Sequence, residues 1–336
     1  MMFPLTFLPF YFSLMAGTIL AISSSSWFGA WVGLELNLMS FIPIITMKMN
    51  MHLSEAALKY FLVQALGSTF IIMSSCLLIS FSFIAPLLLL MGLLLKLGSA
   101  PFHFWFPQVM EGLMWPQAFT LLSIQKIAPM TLISYVLFTP IFTQILLLSA
   151  ILSAMIGAIG GLNSMQLRKI MAFSSINHMS WMMVGLSINN SLWITYFSFY
   201  TIISGSVILF FFSNSSFNIS SILSLNSNNP AYLLFLSLSL LSLGGLPPFT
   251  GFIPKWMMIQ VMVMNNMFIP LVFLLLSTLI TLYFYLRIIT SCVLIMTPIM
   301  TMNTKITPSV SLSSWLPMIS FTNIIGLFVP LIFLFF

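Results

Sequence analysis

The chain has 336 residues, of which 60% are hydrophobic and 4% charged, and its mean hydropathy is +1.16. A soluble globular domain carries about 25% charged residues, so that class is excluded and the length divides into membrane spans instead. The net charge of +6, from nine basic and three acidic residues, is too sparse for a nucleic-acid surface, which needs clustered Lys and Arg.

Apolar stretches close to the spanning length of about 20 residues recur along the whole chain. They run near 3–22, 27–46, 56–80, 83–102, 118–137, 141–163, 170–188, 191–213, 231–264, 267–290 and 316–336. The expected fold is all-α and polytopic: a single membrane domain over 1–336 with about 11 transmembrane helices. Connectors rich in Ser and Asn or containing Pro, such as 213–229 and 297–314, leave no room for a soluble domain. Met1-Met2-Phe3-Pro4 lacks a basic n-region, a cleavage site and transit-peptide character, so the first stretch is expected to be a permanent span. The 34 Phe and 27 Met against two Arg suggest an AT-rich organellar gene with extra Met codons. A coding region without mitochondrial codon usage would sink that hypothesis. Gly29-x-x-x-Gly33 and Gly157-x-x-x-Gly161 are read as places of close helix approach.

The ninth stretch is too long for one straight span. Its 34 residues would extend ~51 Å as a helix, against a hydrocarbon core of ~30 Å. It contains Gly244-Gly245-Leu246-Pro247-Pro248 and then Pro254, and prolines interrupt helical hydrogen bonding. Charge placement decides between two spans and one broken span. With the stretch counted once, Lys48, Lys59 (first turn of the third span), Arg168, Lys169, Arg287 and Lys305 all fall on the N-terminal side. The opposite connectors carry no Lys or Arg, as positive-inside bias expects. The N-terminus is therefore expected in the negative compartment and the C-terminus opposite.

A second interruption follows Lys96, at Leu97-Gly98-Ser99-Ala100-Pro101. Gly98, Pro101, Phe102 and Pro107 match Gly245, Pro248, Phe249 and Pro254 at an offset of 147. The fourth and ninth spans are five apart, so a repeat relating them is inverted in the membrane. Gly/Pro-interrupted segments at corresponding places of inverted halves point to a transporter's site.

Apart from Lys59 and Arg287 near the ends of theirs, four charges lie inside the apolar stretches: Glu35, Lys96, Lys126 and Lys255. Each costs roughly 2.5–3.5 kcal/mol on insertion scales, so each needs a reason. Lys96 and Lys255 flank the two interruptions, where unwound backbone lines a cavity because lipid cannot satisfy it. A lysine there meets both water and low dielectric, conditions in which its protonation can change during a working cycle. Snorkelling to the interface is the alternative for both. Lys126 and Glu35 are central in their stretches, where snorkelling is hard. A lysine is Glu35's natural partner, either as a movable modulator of the lysine's proton or as a static pair that fixes helix register. His178, central in the seventh stretch among polar neighbours, is either a proton relay or a hydrogen-bonded packing residue. His52, His103 and Glu111 lie in or beside connectors and carry less weight, and Glu111 reads best as a solvated loop carboxylate. Cys76 and Cys292, with no second ligand at metal spacing, read as inert core cysteines. The sequence has no dinucleotide fingerprint, P-loop, thiolate cluster or paired haem histidines, so no redox cofactor is expected in this chain.

Several motifs together carry a resemblance. They are Trp31-x-Gly33-Leu34-Glu35-x-Asn37, Lys96-Leu97-Gly98-Ser99-Ala100-Pro101-Phe102-His103-Phe104-Trp105 and Gln125-Lys126-Ile127-Ala128-Pro129. Arg168-Lys169-Ile170-Met171-Ala172-Phe173-Ser174-Ser175-Ile176-x-His178-Met179 follows, then Gly244-Gly245-Leu246-Pro247-Pro248-Phe249-x-Gly251-Phe252-x-Pro254-Lys255-Trp256. In this order, over essentially the whole chain, the set resembles the chain 2 family of mitochondrial NADH–ubiquinone oxidoreductase. The resemblance implies an antiporter-like subunit of respiratory complex I, built from two inverted five-helix repeats, here 1–137 and 141–296, with discontinuous fourth and ninth helices and a C-terminal helix at 316–336. It implies Glu35 and Lys96 as a modulating pair, Lys126 as central relay, His178 as intermediate and Lys255 as the exit-side residue. It places FMN and iron–sulfur clusters in other subunits. The implied partners are other membrane subunits of the complex, a neighbouring antiporter-like subunit among them, and lipids such as cardiolipin. The implied location is the mitochondrial inner membrane, N-terminus to the matrix and C-terminus to the intermembrane space. A cation/proton antiporter subunit, a structural scaffold and a solute carrier are the competing readings.

Overall fold

The computed structural model describes residues 7–47, 50–78, 83–223 and 230–296. The expected helix at 316–336, the connector 297–314, Lys48 and Lys305 lie outside the described residues. Every described element is helical apart from turns and one isolated bridge between Gln166 and Asn218, as lipid requires of a chain whose backbone groups must pair internally.

In chain order the helices are α1 (Leu8–Ser23), α2 (Trp27–Ile45), α3 (Met51–Leu77), α4 (Ile84–Leu97), α5 (Trp105–Gly112), α6 (Trp115–Leu122) and α7 (Ile124–Ser134). They continue as α8 (Pro140–Leu162), α9 (Leu167–Ile188), α10 (Asn190–Ser213), α11 (Ile219–Leu223), α12 (Pro230–Gly244), α13 (Phe252–Met264) and α14 (Phe268–Met296). The described surface is apolar, with Phe12, Met51 and Phe138 exposed, while many buried positions are Ser, Asn or Gln. Many buried serines are satisfied inside their own helices: Ser74, Ser153, Ser206 and Ser239 each donate to the carbonyl three residues back at 2.7–2.8 Å. Cys76 is exposed. It faces outward from α3 and is not the core residue the sequence suggested.

Among the described residues, five helices are long and apolar enough to cross a membrane unaided: α2, α3, α8, α10 and α14 over Phe268–Ser291. α1 is shorter, at 16 residues. The others that fall short are the five-residue α11, the polar α9, which carries His178, and the pieces of interrupted segments, which carry Lys96, Lys126 and Lys255. His178 and the three lysines thus sit on imperfect spans, whereas Glu35 lies on the complete α2.

The chain divides into two compact units, Met1–Ser153 with Leu186–Asn190, and Ala154–Gly185 with Ser191–Phe336. In the first, α1 and α2 pack closely, and a Cβ on Gly33 would stand 2.5 Å from the Ala21 nitrogen. Gly29, its predicted companion, faces Ser24 at the end of α1 and Ser26 at its own helix start. α3 has 27 residues, about 40 Å of helix, and runs beside both α4 and α5. Gly67 of α3 meets Gly92 and Lys96, while Gly112 at the end of α5 faces His52 and Ala56 in the first turns of α3. The gap between α4 and α5 therefore lies at mid-height of a continuous neighbour. α3 begins at Met51, so Lys59 sits in its third turn, deeper than the sequence placed it.

The stretch 118–137, expected as one span, is split. Ser123, with φ −110° and ψ −81°, separates α6 from α7, and Pro129 inside α7 leaves the Gln125 carbonyl without its helical donor. In the second unit, α11, α12 and α13 pack on α14. The expected connector 213–229 contains α11 and pairs with the α8–α9 turn through Leu167 N–H to Phe217 O and Ile219 N–H to Met165 O, at 2.9 and 3.1 Å. Gly157 allows α8 to approach the Phe173–Asn177 backbone of α9, whereas Gly161 makes room for the Phe284 ring.

Candidate functional site

Both interruptions end their first helix in the same way. Gly98 and Gly245 take left-handed conformations, φ +70° and +77°, which glycine adopts without a Cβ penalty. In each, the next N–H reaches back five residues: Ser99 to Leu94 O at 3.2 Å and Leu246 to Leu241 O at 3.4 Å, a Schellman ending. The helices stop at Leu97 and Gly244 and resume at Trp105 and Phe252, so helix ends, glycines and hydrogen bonds all share the offset of 147.

A helix that stops inside a membrane leaves carbonyls to be satisfied. At the first break, Trp105 Nε1 donates to Leu95 O at 3.1 Å, Ser99 Oγ to Leu94 O at 3.2 Å and Gln64 Nε2 to Lys96 O at 3.2 Å. At the second, the Lys255 ammonium itself donates to Gly244 O at 2.7 Å, lying across Gly245 so closely that a Cβ there would be 2.7 Å from its Cδ. A cation at a helix C-terminus also meets the negative end of the helix dipole.

The lysines are 6%, 2% and 7% exposed at positions 96, 126 and 255. Such burial, with no lipid counted, is incompatible with snorkelling. Lys96 packs its stem on Gly67. Glu35 is half-buried, and Lys96 and Tyr60 lie within its electrostatic reach. Among the described residues no contact ion pair joins Glu35 to Lys96, so the two are coupled at a distance. Lys126 lies over the Phe106 ring at 5.3 Å, a cation–π contact from the residue just past the first break.

His178 shares a 2.9 Å hydrogen bond between Nδ1 and the Tyr196 hydroxyl, its ring 5.1 Å from that of Tyr200. The three line a cavity of ≈ 10 Å³ together with Ser242, Leu243, Gly251 and Pro254, about the space one water needs. The cavity thus opens onto the second break, one residue before Lys255. Tyr196 and Tyr200 were not singled out from the sequence, and the meeting of His178 with the second break was not foreseen, because only folding brings these groups together. Gln125 could have been, as a polar residue beside a central lysine.

Glu111 is within electrostatic reach of Glu55, which pairs with Lys59 at 2.8 Å. It lies at the end of a short helix packed on α3, not in a loop. His103 lies in the first gap, 9% exposed, with its ring 4.1 Å from that of Phe104.

The chain matches the family described as NADH:quinone oxidoreductase/Mrp antiporter, transmembrane, over residues 24–83 and 79–281. It is 48% identical over 289 residues to the NADH-ubiquinone oxidoreductase chain 2 of Anopheles gambiae, covering 83% of each chain. Its fold is similar to that of a chain in the respiratory complex I of Thermus thermophilus, with a TM-score of 0.81, 24% identity and coverage of 97% of this chain and 79% of that one. It is also similar in fold to a chain of the Mrp complex from a Dietzia species, with a TM-score of 0.73, 17% identity and coverage of 84% and 60%. With interrupted helices, buried lysines and these likenesses together, the chain belongs to the NADH-ubiquinone oxidoreductase chain 2 family of antiporter-like membrane proteins.

Proposed function

We propose that this chain is the proton-translocating, antiporter-like subunit of respiratory complex I in the mitochondrial inner membrane. Electron transfer takes place in other subunits, which hold the FMN and iron–sulfur clusters, and this chain moves charge. The observation that carries the reading is the placement of three buried lysines at or beside helix interruptions, in a chain of this family. A lysine so placed is sheltered from lipid and close to backbone that a water file can join.

The expected route starts at Glu35 and Lys96. Moving the carboxylate relative to Lys96 changes how strongly the lysine holds its proton, and their separation beyond contact suits a modulator better than a static clamp. Lys126 is the central relay, His178 with Tyr196 the intermediate, and Lys255 the exit-side group toward a neighbouring antiporter-like subunit or the intermembrane space. Moving one charge against 100 mV costs ~2.3 kcal/mol, within the range of an internal rearrangement of charges. The shared offset of 147 supports two inverted five-helix repeats, 1–137 and 141–296, with the interrupted helices as the fourth and ninth of eleven spans. The partners are the other membrane subunits and anionic lipid such as cardiolipin.

Lys126→Ala in the assembled complex tests the reading. The expected result is a loss of protons translocated per NADH oxidised, with assembly retained; undiminished pumping assigns the chain a scaffold role instead. The likeness to an Mrp chain favours a second reading, a cation/proton antiporter subunit. Co-purification separates the two: complex I subunits are expected, and antiporter subunits alone would support the alternative.

A further inference from the structure

We infer that Gln125 is a positioning residue: its side-chain amide, clamped between Asn37 and Tyr60, sets the direction in which Lys126 points. The inference rests on the reading of Lys126 as the central relay. Lys126 is in an interrupted, proline-containing stretch of helix. The chain is interrupted just before it at Ser123, and Pro129 removes the helical partner of the Gln125 carbonyl. Lys126 N–H still bonds Ser123 O at 3.1 Å, but the interruption and the proline leave this turn with fewer backbone bonds than a continuous helix. Gln125 supplies the missing restraint from two sides. Its Nε2 donates to Asn37 Oδ1 at 2.8 Å, and its Oε1 accepts from the Tyr60 hydroxyl at 3.2 Å.

Both anchors belong to helices that are continuous at this height. Asn37 is two residues from Glu35 on α2. Tyr60, on α3, packs edge-on against Phe41 at 5.1 Å and lies 6.0 Å from Trp105, the residue whose indole closes the carbonyl end of α4. Consecutive helical residues differ by about 100° in direction, so a fixed Gln125 fixes the azimuth of Lys126 toward Phe106. The chain Asn37–Gln125–Tyr60–Trp105 thus ties the helix of Glu35, the turn of Lys126 and the break beside Lys96 into one register. The same device recurs next to His178. Asn177 accepts from Ser277 Oγ at 3.0 Å and donates to Thr281 Oγ1 at 3.4 Å. Lys126 and His178 thus each follow an amide that is clamped to another helix.

The test is made in the assembled complex, the ratio read being the part of the protons translocated per NADH oxidised that Lys126→Ala abolishes, across the physiological pH range. Gln125→Asn, too short to span both anchors, is expected to lower the ratio about tenfold and displace its pH profile, the scale of losing one to two hydrogen bonds. Tyr60→Phe keeps the ring packing and is expected to lower it about threefold to tenfold through one lost bond. The exchange Asn37→Gln with Gln125→Asn conserves the summed length of the two amides and is expected to recover most of the ratio and the profile. Singles that pump with an unaltered profile, or an exchange no better than Gln125→Asn, overturn the positioning role while a defective Lys126→Ala leaves the relay standing. Should Gln125→Asn fail to assemble, Tyr60→Phe decides: an unchanged ratio and profile reject the clamp. Undiminished pumping by Lys126→Ala rejects both.

Discussion

Lys255 illustrates how magnitudes separate function from stability at a single residue. Burying its ammonium costs several kcal/mol even after relaxation. What it returns is one charge-assisted hydrogen bond to Gly244 O and the dipole at the end of α12, together about 2–5 kcal/mol. Removing that donor strands a carbonyl, at about 1–3 kcal/mol, and at the same time removes the buried charge. Lys255→Met is therefore expected to assemble with a thermal midpoint close to the parent's and to lose proton translocation. A collapse of assembly with residual pumping would instead make the lysine a helix cap. The sequence located this lysine beside a break; its acceptor, eleven residues earlier in the chain, emerges only when Gly245 turns the backbone.

At the scale of elements, the two interruptions are built structures with defined hydrogen bonding. Leu94, Leu95 and Lys96 carbonyls receive side-chain or turn donors, so the first gap costs little in unpaired backbone. The second gap is closed by the approach of Gly251 to the Ser242 carbonyl, where an added Cβ would overlap a backbone atom that cannot rotate away. At Gly245 the obstacle is the flexible Lys255 stem, and the left-handed backbone adds about 1–2 kcal/mol for any Cβ. Gly251→Ala is thus expected to reduce the thermal midpoint and the amount of assembled complex more than Gly245→Ala, with Gly245→Ala more harmful to pumping than to assembly. Equal losses of assembly would refute the ranking. The sequence marked both breaks through Gly and Pro spacing. It missed the break at Ser123 because nothing but its unusual dihedrals, imposed by packing, distinguishes that serine from the helical serines around it.

At the scale of the whole molecule, the topology expected from the basic residues puts Arg168, Lys169 and Arg287 on the N-terminal side. Arg287 donates to Leu162 O at 3.0 Å and Arg168 lies over the Phe217 ring at 4.6 Å, so these cations also secure the helix ends on that face. In a background lacking Cys76 and Cys292, Asn163→Cys is expected to react with an impermeant thiol reagent from the matrix and Asn189→Cys from the opposite side. Labelling of both from one side would remove the topology and with it the inverted relation of the two breaks.

The sequence by itself determined the solvent and the elements: apolar length demands helices in lipid, and Gly and Pro mark where two of them must open. It also singled out Glu35, Lys96, Lys126, His178 and Lys255, because an ionisable or polar group in hydrocarbon is too costly to be casual. Only the tertiary structure decided what those groups meet. Glu35 stands off from Lys96 without touching it, Lys126 rests on Phe106, His178 is held by Tyr196, and Gln125 is clamped by Asn37 and Tyr60. Such contacts join residues up to 88 positions apart. They depend on helix rotation and packing depth, quantities that hydropathy and spacing along one chain do not encode.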